Sequence, residues 1–194
     1  MKEITIFTPT YNRANLLTRL YQSLKMQTCR EFQWLIVDDG STDDTKNIVE
    51  KFIQEDKIVI KYYYQKNSGK HVAHNLGVKM CNTELFCCVD SDDYLTNDAV
   101  QTVLECWGKI AIDKKSLLSG IVAYRGYDTE KIIGTEFPAE MNEAALKNLY
   151  ANGKKGDTAL IYRTDVLRQY PFPEVKGEKF IRENLAYDLI DEKY

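Results

Sequence analysis

The amino-acid sequence predicts an α/β protein built on a mostly parallel sheet with helices on both faces. Two observations lead there. Through the first 109 residues, apolar runs of strand length alternate with segments whose apolar residues recur at helical spacing. Two of those runs also end in adjacent acids, Asp38-Asp39 and Asp92-Asp93. The carboxyl ends of parallel strands are where open α/β sheets collect their ligands.

Ile4 to Thr8 reads as the first strand, stopped by Pro9, which has no backbone N–H to give. Asn12 or Asn15 is placed to cap the next helix, marked by Leu17, Leu20, Tyr21 and Leu24. Trp34 to Val37 is a second buried strand. Gly40-Ser41-Thr42-Asp43 is turn and cap chemistry, and Thr45, Ile48, Val49, Phe52 and Ile53 mark a second helix. Ile58 to Tyr64, β-branched and aromatic, is a third strand, in which Tyr62-Tyr63-Tyr64 reads as packing. A polar loop, Gln65 to Lys70, leads to a helix from about His71 to Cys81 that turns Val72, Leu76 and Met80 inward.

The fourth strand is Leu85 to Val89, apolar throughout as a strand buried on both faces should be. Val100, Val103, Leu104 and Trp107 mark the helix after it. Beyond Lys109 the alternation loosens. Leu117 to Arg125 and Thr158 to Arg163 read as strands and Asn142 to Ala151 as a helix, with Ile132-Ile133-Gly134 pairing antiparallel with a neighbour. The second half is therefore mixed and partly antiparallel. With no repeat or Pro/Gly-rich linker, residues 1–194 are expected to form a single domain.

Composition narrows the class. Apolar residues make up 44% and charged residues 28%, ordinary for a globular domain. The net charge is -3, with 26 basic residues spread along the chain, so no nucleic-acid partner is expected. No apolar run approaches the roughly 20 residues of a membrane span, and the amino terminus lacks a signal-peptide pattern. The five cysteines form no CxxC pair, and Cys87 and Cys88 read as core, which is thiol usage for a reducing, cytoplasmic compartment.

The chemistry is expected after the fourth strand. Asp90, Asp92 and Asp93 fall within four positions, and three anions so close need something positive among them. Oxygen ligands at that density suit Mg²⁺ or Mn²⁺. The plainer reading is that Asp92 and Asp93 cap the following helix. If the first, second and fourth strands are neighbours, then Pro9 to Asn12, Asp38-Asp39 and Asp90 to Asp93 share one edge. A nucleotide fits such an edge: a carboxylate accepts from a uracil imide N–H, Tyr11 stacks on the base, and a metal bridges diphosphate to Asp92.

Four segments together carry a resemblance. They are Thr8-Pro9-Thr10-Tyr11-Asn12, Val37 to Asp43, Asn67-Ser68-Gly69-Lys70 with Asn75-Leu76-Gly77, and Val89-Asp90-Ser91-Asp92-Asp93-Tyr94. In order and placement they resemble the family 2 glycosyltransferases of GT-A, Rossmann-like fold, of the bacterial cell-surface polysaccharide type. The resemblance implies inverting, metal-dependent transfer of a sugar from a nucleotide-diphosphate donor, UDP by the uracil reading, to a saccharide or lipid-linked acceptor. It implies that Pro9 and Tyr11 line the base and Asp39 binds uracil. Asp90 lies near ribose and diphosphate, Asp92 holds Mn²⁺ or Mg²⁺, and Lys70 faces phosphate at a helix amino terminus.

The family's base lies in a later acidic motif, which Gly177 to Glu183 resembles, pointing to Glu183 in a partly buried position, with Asp157 next in line. Asn184 stands where the commoner motif has a second acid. Residues 1–109 would then form the donor half and 110–194 the acceptor half. The chain stops at Tyr194, soon after the motif, so part of the acceptor site is expected to be missing. Peripheral association with the inner face of a membrane fits a lipid-linked acceptor.

Other readings are plainer. His71 and His74, three apart, have no acid at helical spacing to complete a metal set, and Asp188, Asp191 and Glu192 read as a solvated helix face. Two alternative functions stand beside this one. A nucleotidylyltransferase wants a Gly-rich loop after the first strand, and Thr8 to Asn15 contains no glycine. A non-catalytic nucleotide-sugar-binding remnant would keep the donor half without turnover.

Overall fold

The computed structural model describes residues 2–128, 130–139 and 142–194. Its strands are β1 (Ile4–Thr10), β2 (Phe32–Asp38), β3 (Ile60–Tyr64), β4 (Leu85–Cys88), β5 (Gly120–Tyr124) and β6 (Thr158–Arg163). Its helices are α1 (Ala14–Lys25), α2 (Thr45–Glu55), α3 (Lys70–Met80), α4 (Ala99–Lys109), α5 (Ile112–Lys115), α6 (Leu146–Ala151), α7 (Thr164–Gln169) and α8 (Asn184–Asp191). The strands form one sheet in the order β3-β2-β1-β4-β6-β5. β1 to β4 run parallel, and β6 is antiparallel to both β4 and β5. The sheet is mostly parallel with a mixed far side, as predicted, and β1 lies between the two strands that end in acids.

Alternation along the strands builds two apolar layers. Ile4, Ile6, Trp34, Ile36, Leu85 and Cys87 point to one face, where Leu17, Leu20, Leu24, Val49, Phe52, Val100 and Trp107 of α1, α2 and α4 cover them. Phe7, Leu35, Val37 and Phe86 point to the other, beneath Ala73 and Val78 of α3, Val166 and Leu167 of α7 and Ile190 of α8. Because β1 and β2 are buried on both faces, their polar side chains are paired inside: Thr5 with Thr83, Gln33 Nε2 donating to Thr5, and Trp34 Nε1 donating to Thr8.

Several local expectations are corrected. β1 passes through Pro9 to Thr10. The Phe7 carbonyl accepts from Val89 N–H on the β4 side and the Thr10 carbonyl from Asp39 N–H on the β2 side. By alternation Pro9 lacks its N–H on the β4 side, past the last paired residue, Cys88, where no ladder bond is lost. Neither Asn12 nor Asn15 caps α1. Asp43 Oδ2 accepts from Ala14 N–H at 3.1 Å, while Oδ1 holds Thr45, so one acid starts two helices. Burial pushes the Asp43 pKa up, but the bonds from Thr45 and Ala14 outweigh it and hold the pKa below the ordinary carboxylate value.

Helix α3 turns a different face inward: His71, Ala73, His74, Gly77 and Val78 are buried, while Val72, Leu76 and Met80 are only partly so. The reason is Gly77. A Cβ there would lie 2.3 Å from the Phe7 ring, so the absence of a side chain lets that ring seat against the helix and sets its rotation. His74 completes the contact edge-on to Phe7, Phe86 and Phe172.

In the second half β5 begins at Gly120 and not at Leu117, which is 69% exposed. Helix α6 begins at Leu146 and not at Asn142, because the Asp191 carboxylate accepts from the N–H groups of Leu146 and Lys147. Asp191 is thus a capping acid and not part of a solvated face. The antiparallel pairing expected around Ile132 occurs as a bridge to Gly126.

Candidate active site

A cleft of about 370 Å³ opens over the carboxyl ends of β1, β2 and β4, lined by Pro9, Tyr11, Asp39, Lys70, Asp90 and Asp92 with Thr10, Arg13 and Ser91. The six donor and metal candidates named from the sequence therefore meet in one place. Parallel pairing of β1 with both acid-bearing strands brings them there.

The loops around the cleft are tied to one another. Asn12, in the left-handed region at φ 51°, takes a bond from Thr42 N–H and gives its own N–H to Ser41, which leaves Tyr11 half exposed at the rim. Asp38 is consumed by structure, accepting from Ser41 N–H and the Tyr62 hydroxyl. Asp39 is buried and organises the next loop. Its Oδ1 accepts from Gln65 Nε2 at 2.7 Å and Ser68 N–H at 2.8 Å, and its Oδ2 from Gly69 N–H at 2.8 Å. A carboxylate has about four acceptor positions, so capacity remains on Oδ2.

Lys70, the first residue of α3, stands between two acids. Its Nζ lies 2.9 Å from Asp90 Oδ1 and 2.9 Å from Glu183 Oε1. Burial disfavours its charge, but the carboxylates of Asp90 and Glu183 around it raise its pKa above a lysine's ordinary value. Burial also raises the pKa of the Cys88 thiol, which keeps it neutral, so the two carboxylates hold the lysine protonated. Glu183 is the residue before α8, in contact with the cleft through Lys70, and its side chain is 54% exposed and not sheltered. The segment carrying it is pinned to the donor loop: Lys179 Nζ donates to Asn67 Oδ1 at 2.6 Å, and the Lys179 carbonyl packs against Gly69.

The three clustered acids do not share one cation. Asp90 pairs with Lys70, Asp92 with Arg13 at 3.2 Å, and Asp93 with Arg125, which also holds Asp157 at 2.5 Å. Burial raises the Asp93 pKa and the Arg125 charge works against it, with Asp90, Asp92 and Asp157 adding to the rise. The capping reading fails for Asp92 and Asp93, because α4 starts only at Ala99, after Asp98.

Sequence reasoning passed over Arg13, Gln65 and Arg125. Arg13 directly follows the Tyr11-Asn12 segment, a usable signal, whereas Arg125 meets Asp93 only because β5 joins the sheet beyond β6.

Among the described residues no group of three or more His, Cys, Asp or Glu side chains is arranged to hold a metal. His71 and His74 are both buried, and His74 packs edge-on against Phe7 of β1 and Phe86 of β4. The acids at the cleft do fit a more limited site. Asp92 and Asp90 offer hard oxygen donors, and Mg²⁺ or Mn²⁺ commonly takes one or two carboxylates and completes its coordination with substrate phosphates and water.

Comparison with known proteins agrees with this geometry. The family profile described as Glycosyl transferase family 2 matches residues 5–168. An uncharacterized glycosyltransferase of Rickettsia conorii is 37% identical over 103 residues, covering 53% of this chain and 17% of its own length. The GalNAc(5)-diNAcBac-PP-undecaprenol beta-1,3-glucosyltransferase of Campylobacter jejuni is 27% identical over 168 residues, 78% of this chain and 54% of its own length. The chain thus spans about half or less of these relatives. Among solved structures, S. aureus TarS 1-349 superposes with a TM-score of 0.71 at 26% identity over 98% of this chain and 56% of its own. The same TarS segment in complex with UDP-GlcNAc gives 0.68 at 26% identity over 97% and 53%.

Proposed function

The chain belongs to glycosyl transferase family 2 and has its GT-A fold, and from that premise we propose that it transfers a sugar from a UDP-linked donor to a saccharide or lipid-linked acceptor with inversion. The observation that carries the reading is the single cleft in which Asp39, Lys70, Asp90 and Asp92 meet, with Glu183 on the same lysine. The UDP-GlcNAc complex of TarS supports the choice of uridine. The absence of glycine from Thr8 to Asn15 continues to speak against nucleotidyl transfer.

In this mechanism Pro9 and Tyr11 pack against the base, and the free capacity of Asp39 Oδ2 accepts the uracil imide N–H. Asp92, with Asp90 beside it, would hold Mn²⁺ or Mg²⁺, which would supply positive charge against the departing diphosphate. Lys70 turns its ammonium to the same phosphates at the amino terminus of α3. The Glu183 carboxylate takes the proton of an acceptor hydroxyl as that oxygen bonds the anomeric carbon. The bond from that carbon to the diphosphate breaks on the opposite side, its electron pair leaving with the phosphate. Attack opposite the leaving group inverts the anomeric centre.

Residues 1–109 serve as the donor half and 110–194 as the acceptor half. All five cysteines are free thiols, in keeping with a cytoplasmic site of action. Among the described residues no helix is long and apolar enough to cross a membrane, so contact with a lipid-linked acceptor would be peripheral, at the inner face. The test is turnover of a panel of UDP-sugars with saccharide and polyprenyl-phosphate-linked acceptors, with Mn²⁺ and with a chelator. Metal-dependent release of UDP that requires acceptor supports the reading. Binding of UDP without turnover of any sugar would instead favour the non-catalytic remnant.

A further inference from the structure

The three acids after β4 differ in how firmly their cations are held. Lys70 is shared by Asp90 and Glu183, and Arg125 by Asp93 and Asp157, so each is anchored by two carboxylates. Arg13 has one. Its Nη1 meets Asp92 Oδ2 at 3.2 Å through a single contact, and the two side chains are 49% and 53% exposed. An exposed pair with one contact is weak and readily exchanged. The pairing also leaves most of the guanidinium fork unused, although such a fork suits two-point recognition of phosphate.

We propose that Arg13 is an exchangeable counter-ion: it neutralises Asp92 when the cleft is empty, yields that carboxylate to an arriving divalent cation, and moves onto the diphosphate of the donor. This rests on the reading of Asp92 as metal-holding and of the cleft as a nucleotide site. The physical reason is charge. A guanidinium and a divalent ion on one half-exposed carboxylate repel each other, so they compete for it. The diphosphate brings the anions that give the displaced arginine a new partner in the same cleft, which Arg13 already lines. Metal and nucleotide should therefore favour each other's binding, with Arg13 as part of the coupling. Arg13 contributes only its backbone carbonyl to the start of α1, so replacing its side chain leaves that helix intact.

The test is calorimetric titration of the full chain with Mn²⁺ alone, and of the Mn²⁺-loaded chain with UDP, for wild type, Arg13→Gln, Arg13→Lys and Arg19→Gln. Arg19 lies on α1, which Arg13 directly precedes, but sits over the Tyr94 ring at 4.0 Å, so its variant measures the effect of merely removing a nearby charge. Arg13→Gln should bind Mn²⁺ alone roughly three- to tenfold tighter than wild type and bind UDP to the loaded protein several-fold more weakly. Arg13→Lys, which keeps a charge without the fork, should fall between on the UDP measurement, and Arg19→Gln should match wild type on both. Unchanged Mn²⁺ affinity in Arg13→Gln, or an equal gain in Arg19→Gln, would overturn the competition for Asp92. UDP affinity equal to wild type in loaded Arg13→Gln would overturn the transfer to diphosphate. A wild-type chain that binds neither Mn²⁺ nor UDP would overturn the functional reading itself, whereas normal wild-type binding with an inert Arg13→Gln overturns this inference alone.

Discussion

Asp39 and Asp92 line the cleft and Glu183 meets it through Lys70, and their surroundings give their substitutions different outcomes. Asp39 is buried and already accepts from two loop N–H groups and from Gln65. In Asp39→Asn an amide NH₂ replaces one acceptor and faces those donors. The cost of about 1 to 3 kcal/mol should appear as a lower melting temperature as well as weaker UDP binding. Among the described residues Asp92 bonds Arg13 alone, so Asp92→Ala should fold normally while metal-dependent transfer falls by roughly 10²-fold or more. Equal metal-dependent rates in the two proteins would remove Asp92 from the site. Glu183 is half exposed and touches Lys70 rather than the cleft floor. Glu183→Gln is expected to hold UDP within about twofold of wild type and to lose roughly 10²-fold in transfer. Full activity in that variant would move the base to another acid.

At the scale of elements, the loop from Gln65 to Lys70 joins the two halves of the cleft. Its N–H groups hold Asp39 on one side, and Gly69 accepts the backbone of the 177–183 segment on the other. Gly69 sits at φ 105°, and a Cβ there would lie 2.3 Å from the Lys179 carbonyl and 2.8 Å from the His71 ring. Gly69→Ala therefore meets both an unfavourable backbone region and a collision with main chain, on the order of 1 to 3 kcal/mol of strain. Relief by opening the loop should weaken UDP binding through Asp39 and slow transfer through Glu183 together. Titration of UDP alongside single-turnover rates checks this, since loss of only one would mean that the loop does not couple them.

For the whole molecule, His74 makes acid stability a readable quantity. Burial first, then the charge of Lys70, lowers its pKa from 6.5 to about 3. The unfolded chain takes up this proton below about pH 6.5 and the folded one does not until about pH 3, so its contribution is complete above 6.5 and declines as pH falls through that window. The slope attributable to this residue is about 1 kcal/mol per pH unit between roughly pH 6 and 4. Urea unfolding at a series of pH values should show a shallower decline in His74→Gln than in wild type. Identical slopes would mean that the histidine titrates normally in the fold.

The sequence by itself determined the alternating elements and the strand ends at which the acids collect, because burial periodicity and turn chemistry are local properties of neighbouring residues. Trp34 to Val37 and Leu85 to Cys88 were legible as strands buried on both faces, and the acids after them had to emerge at one rim once β1 lay between them. The motif resemblance likewise named the six donor and metal candidates that line the cleft. Tertiary structure alone decided which partner each acid has. Arg13 reaches Asp92 across 79 positions and Arg125 reaches Asp93 across 32, while Asp43 caps α1 from the loop before α2. It also decided the buried face of α3, where Gly77 seats the helix against the Phe7 ring and His74 meets that ring edge-on. Pairing of charges and capping depends on which chain ends the sheet order brings together, and that order is a property of the packed whole.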